Sequence, residues 1–235
     1  MFSIVMLVRD RLRLTQQALA ALMQNSSTPH HVTVVDDASK DETREWLHEW
    51  AKTHQALYLR SDESRGTGWA RNVGIAEARE RFGTNNLLYL SDNDVWFAPG
   101  WDKVLAEAHI RFPQHKIIGG GCHPFLQPRA GASGLNRFLA NGMLYKLVER
   151  DAVSGYSWLL SWETWAKHGP LDAHALGVRQ SEDFALCRKV VESGASVGSV
   201  VPEVIAHTGL FDTFGQRPPG WEMIEQNKRE GVLYE

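Results

Sequence analysis

Over roughly the first 120 positions, short β-branched runs alternate with stretches of helical periodicity. Ser3–Val8, His31–Val35, Ala56–Leu59, Asn86–Leu90 and Lys116–Ile118 read as strands. Between them lie a helix over Arg11–Gln24, one through Trp46, Leu47 and Trp50, one over Trp69–Phe82 closed by Gly83, and one begun at Pro99. The last carries Trp101, Val104, Leu105 and Ala108 on one side. Strands that are apolar throughout are buried on both faces. Strands separated by helices of about 10–15 residues make parallel crossovers. The chain therefore predicts an α/β fold with a mainly parallel, Rossmann-like central sheet flanked by helices. Ligands of such sheets bind beyond the carboxyl ends of the strands. Two acidic clusters stand at such ends, Asp36-Asp37 and Asp92-Asn93-Asp94.

Local signals set the remaining boundaries. Ser39-Lys40-Asp41-Glu42 has the pattern of a capping box that opens the second helix. Gly119–Gly142 reads as one long loop, of the kind that is often functional. Val153–Leu160 reads as a strand, and Ser161 as the cap of a short helix over Trp162–His168. Ser181 is expected to cap Glu182–Ser193. Ser196–Val201 and Val204–Ala206 are expected strands, the second ending at His207. A short helix around Trp221–Arg229 follows Pro218-Pro219.

Composition narrows the function classes. With 235 residues, 43% hydrophobic and 23% charged, the chain suits one sizeable globular domain and not wholesale disorder. Twenty-five Lys and Arg against 28 Asp and Glu leave a charge of −3. That balance disfavours an obligate nucleic-acid binder, which needs basic surface to neutralise phosphates. Cys122 and Cys187 make no disulfide framework and no metal-ligand spacing, so a reducing, cytoplasmic setting is expected. Phe2–Val8 is too short for a secretory leader and runs into Arg9-Asp10-Arg11. No stretch has the ~18 apolar residues of a membrane span.

Four groups of residues can do chemistry. In an extended segment, residues i and i+2 point the same way, so Asp92 and Asp94 can face one ligand. Hard oxygen donors at a strand end suit Mg²⁺ or Mn²⁺ on a diphosphate. A polar turn after a strand would use the same residues. Asp36-Asp37 fits either a ligand contact or a helix entry. Arg65-Gly66-Thr67-Gly68-Trp69-Ala70-Arg71-Asn72 offers close backbone approach at its glycines and a helix start for an anion, with Arg71 aimed at a base or phosphate. Its glycine spacing is not that of a dinucleotide fingerprint. Glu182-Asp183 opens a late helix, and His207 closes a late strand where it can join Asp94 around a metal.

In order, these pieces are VVDDAS, GTGWARNVGIAEA, LLYLSDND, SEDFALCRKV and a strand ending in His. The series, spread over about residues 3–207, resembles the family 2 glycosyltransferases of the GT-A fold. The resemblance implies sugar transfer from a nucleotide-diphospho-sugar, a UDP-sugar first, to an acceptor hydroxyl, with inversion and with Mn²⁺ or Mg²⁺. It implies one GT-A-like domain over 1–207, with 1–119 the donor half and 120–207 the acceptor half. The tail, 208–235, is expected over the active site. Asp36 or Asp37 would contact the base, and Val8, Arg71, Asp92, Asn93 and Asp94 would line the donor. Asp94 and His207 would bind the metal, Asp183 would be the base, and Trp158 and Glu182 would meet the acceptor. The family's Pro-x-Tyr-Asn-like end of the first strand is replaced by Leu7-Val8-Arg9-Asp10.

The acceptor stays open among a saccharide, a lipid-linked sugar, a protein and a modified nucleobase. Nine tryptophans are an excess, and Trp158, Trp162, Trp165 and Trp221 fall where an acceptor with a flat face would lie, although Trp158 and Trp165 suit the core as well. Two other functions compete. A nucleotidyltransferase acting on a sugar phosphate would need a glycine-rich loop after the first strand, where Arg9-Asp10-Arg11-Leu12 has no glycine. A non-catalytic nucleotide-sugar-binding module would have no use for a placed Asp183.

Overall fold

In the computed structural model the residues described are 1–122, 126, 128–129, 136–173 and 182–209. The elements run β1 Phe2–Val8, α1 Leu12–Asn25, β2 His30–Asp37, α2 Thr43–His54, β3 Leu57–Ser61, α3 Thr67–Phe82, β4 Leu87–Asp92, β5 Val95–Phe97 and α4 Trp101–Arg111. They continue as β6 His115–Gly119, β7 Asn136–Ala140, β8 Met143–Arg150, β9 Ser157–Ser161, α5 Trp162–His168, α6 Glu182–Glu192, β10 Ser196–Val201 and β11 Ile205–His207. Nine strands form one sheet in the order β3-β2-β1-β4-β9-β6-β10-β8-β7. Among the described residues only β9 and β8 run against the rest. The expected α/β architecture with a mainly parallel sheet is therefore present.

The central strand shows why. All seven residues of β1 are buried, so both sheet faces are covered. Phe2, Ile4, Met6 and Val8 join one core with Leu19 and Leu22 of α1, Leu47 of α2, and Trp101 and Leu105 of α4. Val5 and Leu7 join the other with Ile75 of α3, Trp162 of α5, and Leu186 and Val190 of α6. At Gly74 a Cβ would fall 2.5 Å from Val35 and 2.6 Å from Val5, so glycine lets α3 lie this close to the sheet.

Three local expectations need correction. Ser39 does not cap α2, whose start has no side-chain cap. The Ser39 hydroxyl accepts from the Asp10 amide instead (2.8 Å), tying the β1–α1 turn to the β2–α2 turn. The long loop of 119–142 contains β7, one arm of a hairpin with β8. Its turn is Asn141-Gly142, both at positive φ (49° and 77°). That pair is a strong hairpin signal in sequence, because Asn and Gly readily take the positive φ of the mirror-image turn that matches strand twist. Finally, Val153–Leu160 is extended as a strand only from Ser157, and β5, not foreseen, pairs with β11. The Ser161 cap holds: its hydroxyl accepts from the Thr164 amide at 3.1 Å. Ser181, Pro218-Pro219 and Trp221–Arg229 lie outside the described residues.

Candidate active site

The parallel arrangement brings the carboxyl ends of β1, β2 and β4 together, and the acidic clusters with them. Leu7 pairs with Asp92 and Val8 with Asp36. Val8 itself is wholly buried in the core, so it shapes this rim through its backbone.

Asp94 is the meeting point. Its Oδ1 lies 3.1 Å from His207 Nε2 and its Oδ2 is 2.5 Å from Arg11 Nη1. The pairing of β11 with β5 sets His207 opposite Val95, one residue past Asp94. The Thr208 amide then donates to the Asp94 carbonyl at 2.7 Å. A Cβ at Gly209 would fall 1.8 Å from Asp94 Oδ2, so the strap passes here only as glycine. Tyr156 stacks on the imidazole of His207 (4.9 Å, 8° between planes) and fixes its orientation. One ligand atom each from Asp92, Asp94 and His207 lie within 4.8 Å of one another. Two hard carboxylates and one borderline imidazole fit Mn²⁺ better than Mg²⁺, which favours all-oxygen shells.

The two carboxylates differ electrostatically. Burial and the charge of Asp94 push Asp92 above the ordinary carboxylate range, against the pull of Arg71. Burial would raise Asp94 too, but His207 and Arg11 hold it below that range. Asn93 faces away, donating to the Asp10 carbonyl (3.1 Å) and the Thr15 hydroxyl (2.7 Å). It pins the β1–α1 turn.

Arg71 is buried, with 2% of its side chain exposed. It pairs with Asp92, donates to Glu182 Oε1 at 2.7 Å and donates to the Gly155 carbonyl at 3.0 Å. The next link is direct: the Gly155 amide donates to Asp183 Oδ2 at 3.0 Å, and the Phe184 amide to Oδ1 at 2.8 Å. Arg71 thus joins the Asp92/Asp94/His207 cluster to the carboxylates that open α6. Glu182, expected at the acceptor, faces Arg71. Trp158 is a further correction. Its ring is wholly buried, its indole N–H donates to the Val153 carbonyl (3.2 Å), and the Arg71 guanidinium lies over it at 5.5 Å. It supports Arg71 and has no face to offer an acceptor. Trp162 is likewise buried, with its N–H on Asn86 (2.9 Å).

At the end of β2 the two aspartates, both buried, take different partners. Asp36 is completely buried and bound by the Ser39 amide (2.8 Å), the Tyr58 hydroxyl (3.0 Å) and Arg60. Burial and this carboxylate push the Tyr58 phenol up to about 12. Asp37 reaches instead toward the β3–α3 loop, accepting from Ser64 (2.7 Å) and the Arg65 amide (3.0 Å). Arg9, from the unusual end of β1, donates to the same Ser64 hydroxyl at 2.8 Å.

Glu203 was not foreseen. It accepts from the Cys122 amide at 2.9 Å beside the end of β6. Burial pushes its carboxyl from an ordinary 4.5 up to about 7, against Cys122 and Arg150. The fold keeps this proton up to about pH 7, whereas the unfolded chain loses it near 4.5. The resulting stability is full below the lower value and is lost as pH rises through the upper one. Wild-type unfolding free energy is expected to fall by about 1–3 kcal/mol relative to Glu203→Gln between about pH 4.5 and 8. Urea titrations at several pH values check this, and parallel profiles would refute it.

Among the described residues no helix is long and apolar enough to cross a membrane. No curated protein matches the chain. Solved structures do. A mannosyltransferase, PcManGT from Pyrobaculum calidifontis in complex with GDP-Man and Mn²⁺, aligns over 86% of this chain with TM-score 0.59 and 19% identity. TarS of S. aureus aligns over 87% with TM-score 0.59 and 15% identity, and its 1–349 fragment with UDP over 87% with TM-score 0.57 and 14% identity. The chain spans 54%, 36% and 59% of those three chains. At these identities the likeness concerns the fold. The family is given by sequence: residues 3–141, more than half of the chain, match the model of glycosyl transferase family 2, and the chain belongs to that family.

Proposed function

We propose that the protein is a metal-dependent inverting glycosyltransferase that moves a sugar from a nucleotide-diphospho-sugar, a UDP-sugar first, to an acceptor hydroxyl. The observation that carries this is the bridge through Arg71. It fixes Asp92, at the metal-ligand cluster, and Glu182, beside Asp183, to one buried cation. Two carboxylate groups with different tasks are thereby held at a set separation. PcManGT binds GDP-Man with Mn²⁺ and TarS binds UDP, which supports a nucleotide-sugar donor.

In this reading Asp37 and Arg9 flank the nucleoside, and Asp92, Asp94 and His207 would hold the ion. When bound, the ion supplies Lewis-acid neutralisation of the charge that develops on the departing diphosphate. Asp183 takes the acceptor hydroxyl proton as the oxygen attacks the anomeric carbon. The bond to the diphosphate oxygen breaks on the opposite side, and the anomeric centre inverts. Residues 1–119 form the donor half and 120–207 the acceptor half; the tail beyond 209 lies outside the described residues. The setting is cytoplasmic, in keeping with two unpaired, buried thiols.

Incubation with UDP-, GDP- and TDP-sugars plus Mn²⁺ is expected to show slow donor hydrolysis. Asp94→Ala is expected to abolish the Mn²⁺-stimulated hydrolysis, because it removes a ligand of the ion. Hydrolysis that survives both this substitution and a chelator would overturn the metal role.

A further inference from the structure

We propose that Arg11 is a built-in counter-cation for Asp94, one that holds this carboxylate until a divalent ion arrives and then turns to the donor's diphosphate. The inference rests on the metal-dependent reading above and extends it to a residue outside the family's motifs.

The β1–α1 turn is built to deliver Arg11. Asp10 and Arg11 stand consecutively at φ 53° and 62°, with no glycine at either position. Such residues adopt this backbone only at a cost, and it persists where the surroundings over-determine it. Here they do. The Asp10 amide donates to Ser39 (2.8 Å), Asp10 Oδ1 accepts the Lys40 amide (2.6 Å), and the Asp10 carbonyl accepts from Asn93 (3.1 Å). Asn93, set between the two metal-ligand aspartates, therefore holds the turn that carries Arg11. The outcome is the 2.5 Å contact between Arg11 Nη1 and Asp94 Oδ2.

The two arginines of the site are not equivalent. Arg71 is 2% exposed and locked by Asp92, Glu182 and the Gly155 carbonyl. It cannot leave. The Arg11 side chain is 36% exposed, against 9% for Asp94, so the cation lies on the solvent side of the pair and the carboxylate on the protein side. A divalent ion held by Asp92, Asp94 and His207 shares Asp94 with this guanidinium, and two cations on one carboxylate repel each other. The fork of a guanidinium matches phosphate oxygens as well as carboxylate oxygens. Displaced from Asp94, it suits the diphosphate that accompanies the ion.

The test is calorimetric titration of the full chain with Mn²⁺ alone, then with UDP at saturating Mn²⁺. Arg11→Asn and Arg11→Gly tolerate the left-handed backbone, so a folding failure of one leaves the other. Both are expected to bind Mn²⁺ about tenfold tighter than wild type, the scale of one charge-assisted hydrogen bond. Arg11→Lys is expected to stay within about threefold of wild type. UDP is expected to bind both neutral variants about 3- to 10-fold more weakly. Equal or weaker Mn²⁺ binding by both neutral variants overturns the counter-cation, and unchanged UDP affinity overturns the diphosphate role. Mn²⁺ bound by wild type and lost in Asp94→Ala keeps the metal reading standing in either case. Mn²⁺ bound by none of these proteins overturns that reading and the inference together.

Discussion

Asp183→Asn is expected to lower turnover by about 10²- to 10⁴-fold while leaving the donor's KM within a few-fold of wild type. The substitution changes almost no volume. Asp183 is held by two backbone amides, from Gly155 and Phe184, and the Asn carbonyl oxygen keeps one of these bonds. Fold and donor pocket therefore stay in place. The ability to accept the acceptor's proton is lost. The proton moves only as the acceptor oxygen attacks, so the loss falls on kcat and not on donor binding. Initial rates against donor concentration separate the two. NMR of the wild-type product should show an inverted anomeric centre. A retained configuration, or a loss below about tenfold in the Asn variant, would remove Asp183 from this role.

The sequence is most legible where chemistry coincides with regular backbone. Asp92 and Asp94 stand together where β4 ends and the chain bends into β5, as the acidic cluster at a strand end suggests, and His207 joins them because a strand end can be read from Ile205-Ala206-His207. The six apolar residues of β1, interrupted only by Ser3, announce a doubly covered strand. Legibility ends where a side chain chooses among distant partners. Arg11 and Asp94 are 83 positions apart, and only the left-handed turn joins them. Ser39 has the sequence of a cap, yet the Asp10 amide 29 positions away takes its hydroxyl. Tryptophan was the least informative residue type. In the sequence Trp158 suits a core place as well as a substrate's flat face, and in the fold its ring is buried and supports a guanidinium. The Asn141-Gly142 hairpin is a different case, since its signal was present in the sequence and was masked by the surrounding Gly and Pro content.

The largest expected effect on stability is at Arg71. Arg71→Met keeps much of the aliphatic stem but removes the guanidinium that lies over Trp158 and between Asp92 and Glu182. Both carboxylates then remain in a largely buried site without their common partner, and Asp94 adds like charge beside Asp92. Breaking a buried pair from one side typically costs about 3–5 kcal/mol, because an uncompensated charge stays behind. Urea unfolding at neutral pH is expected to show a loss of this size. Combining Arg71→Met with Asp92→Asn and Glu182→Gln is expected to recover much of it, since the penalty arises from the stranded charges and not from the lost contact. Arg71→Lys is expected to fall between the two, as a point charge cannot serve Asp92, Glu182 and the Gly155 carbonyl at once. A single-variant loss below about 1 kcal/mol would mean that solvent reaches these carboxylates freely. In that event Arg71 would no longer be the rigid link that sets the distance between the metal-ligand cluster and Asp183.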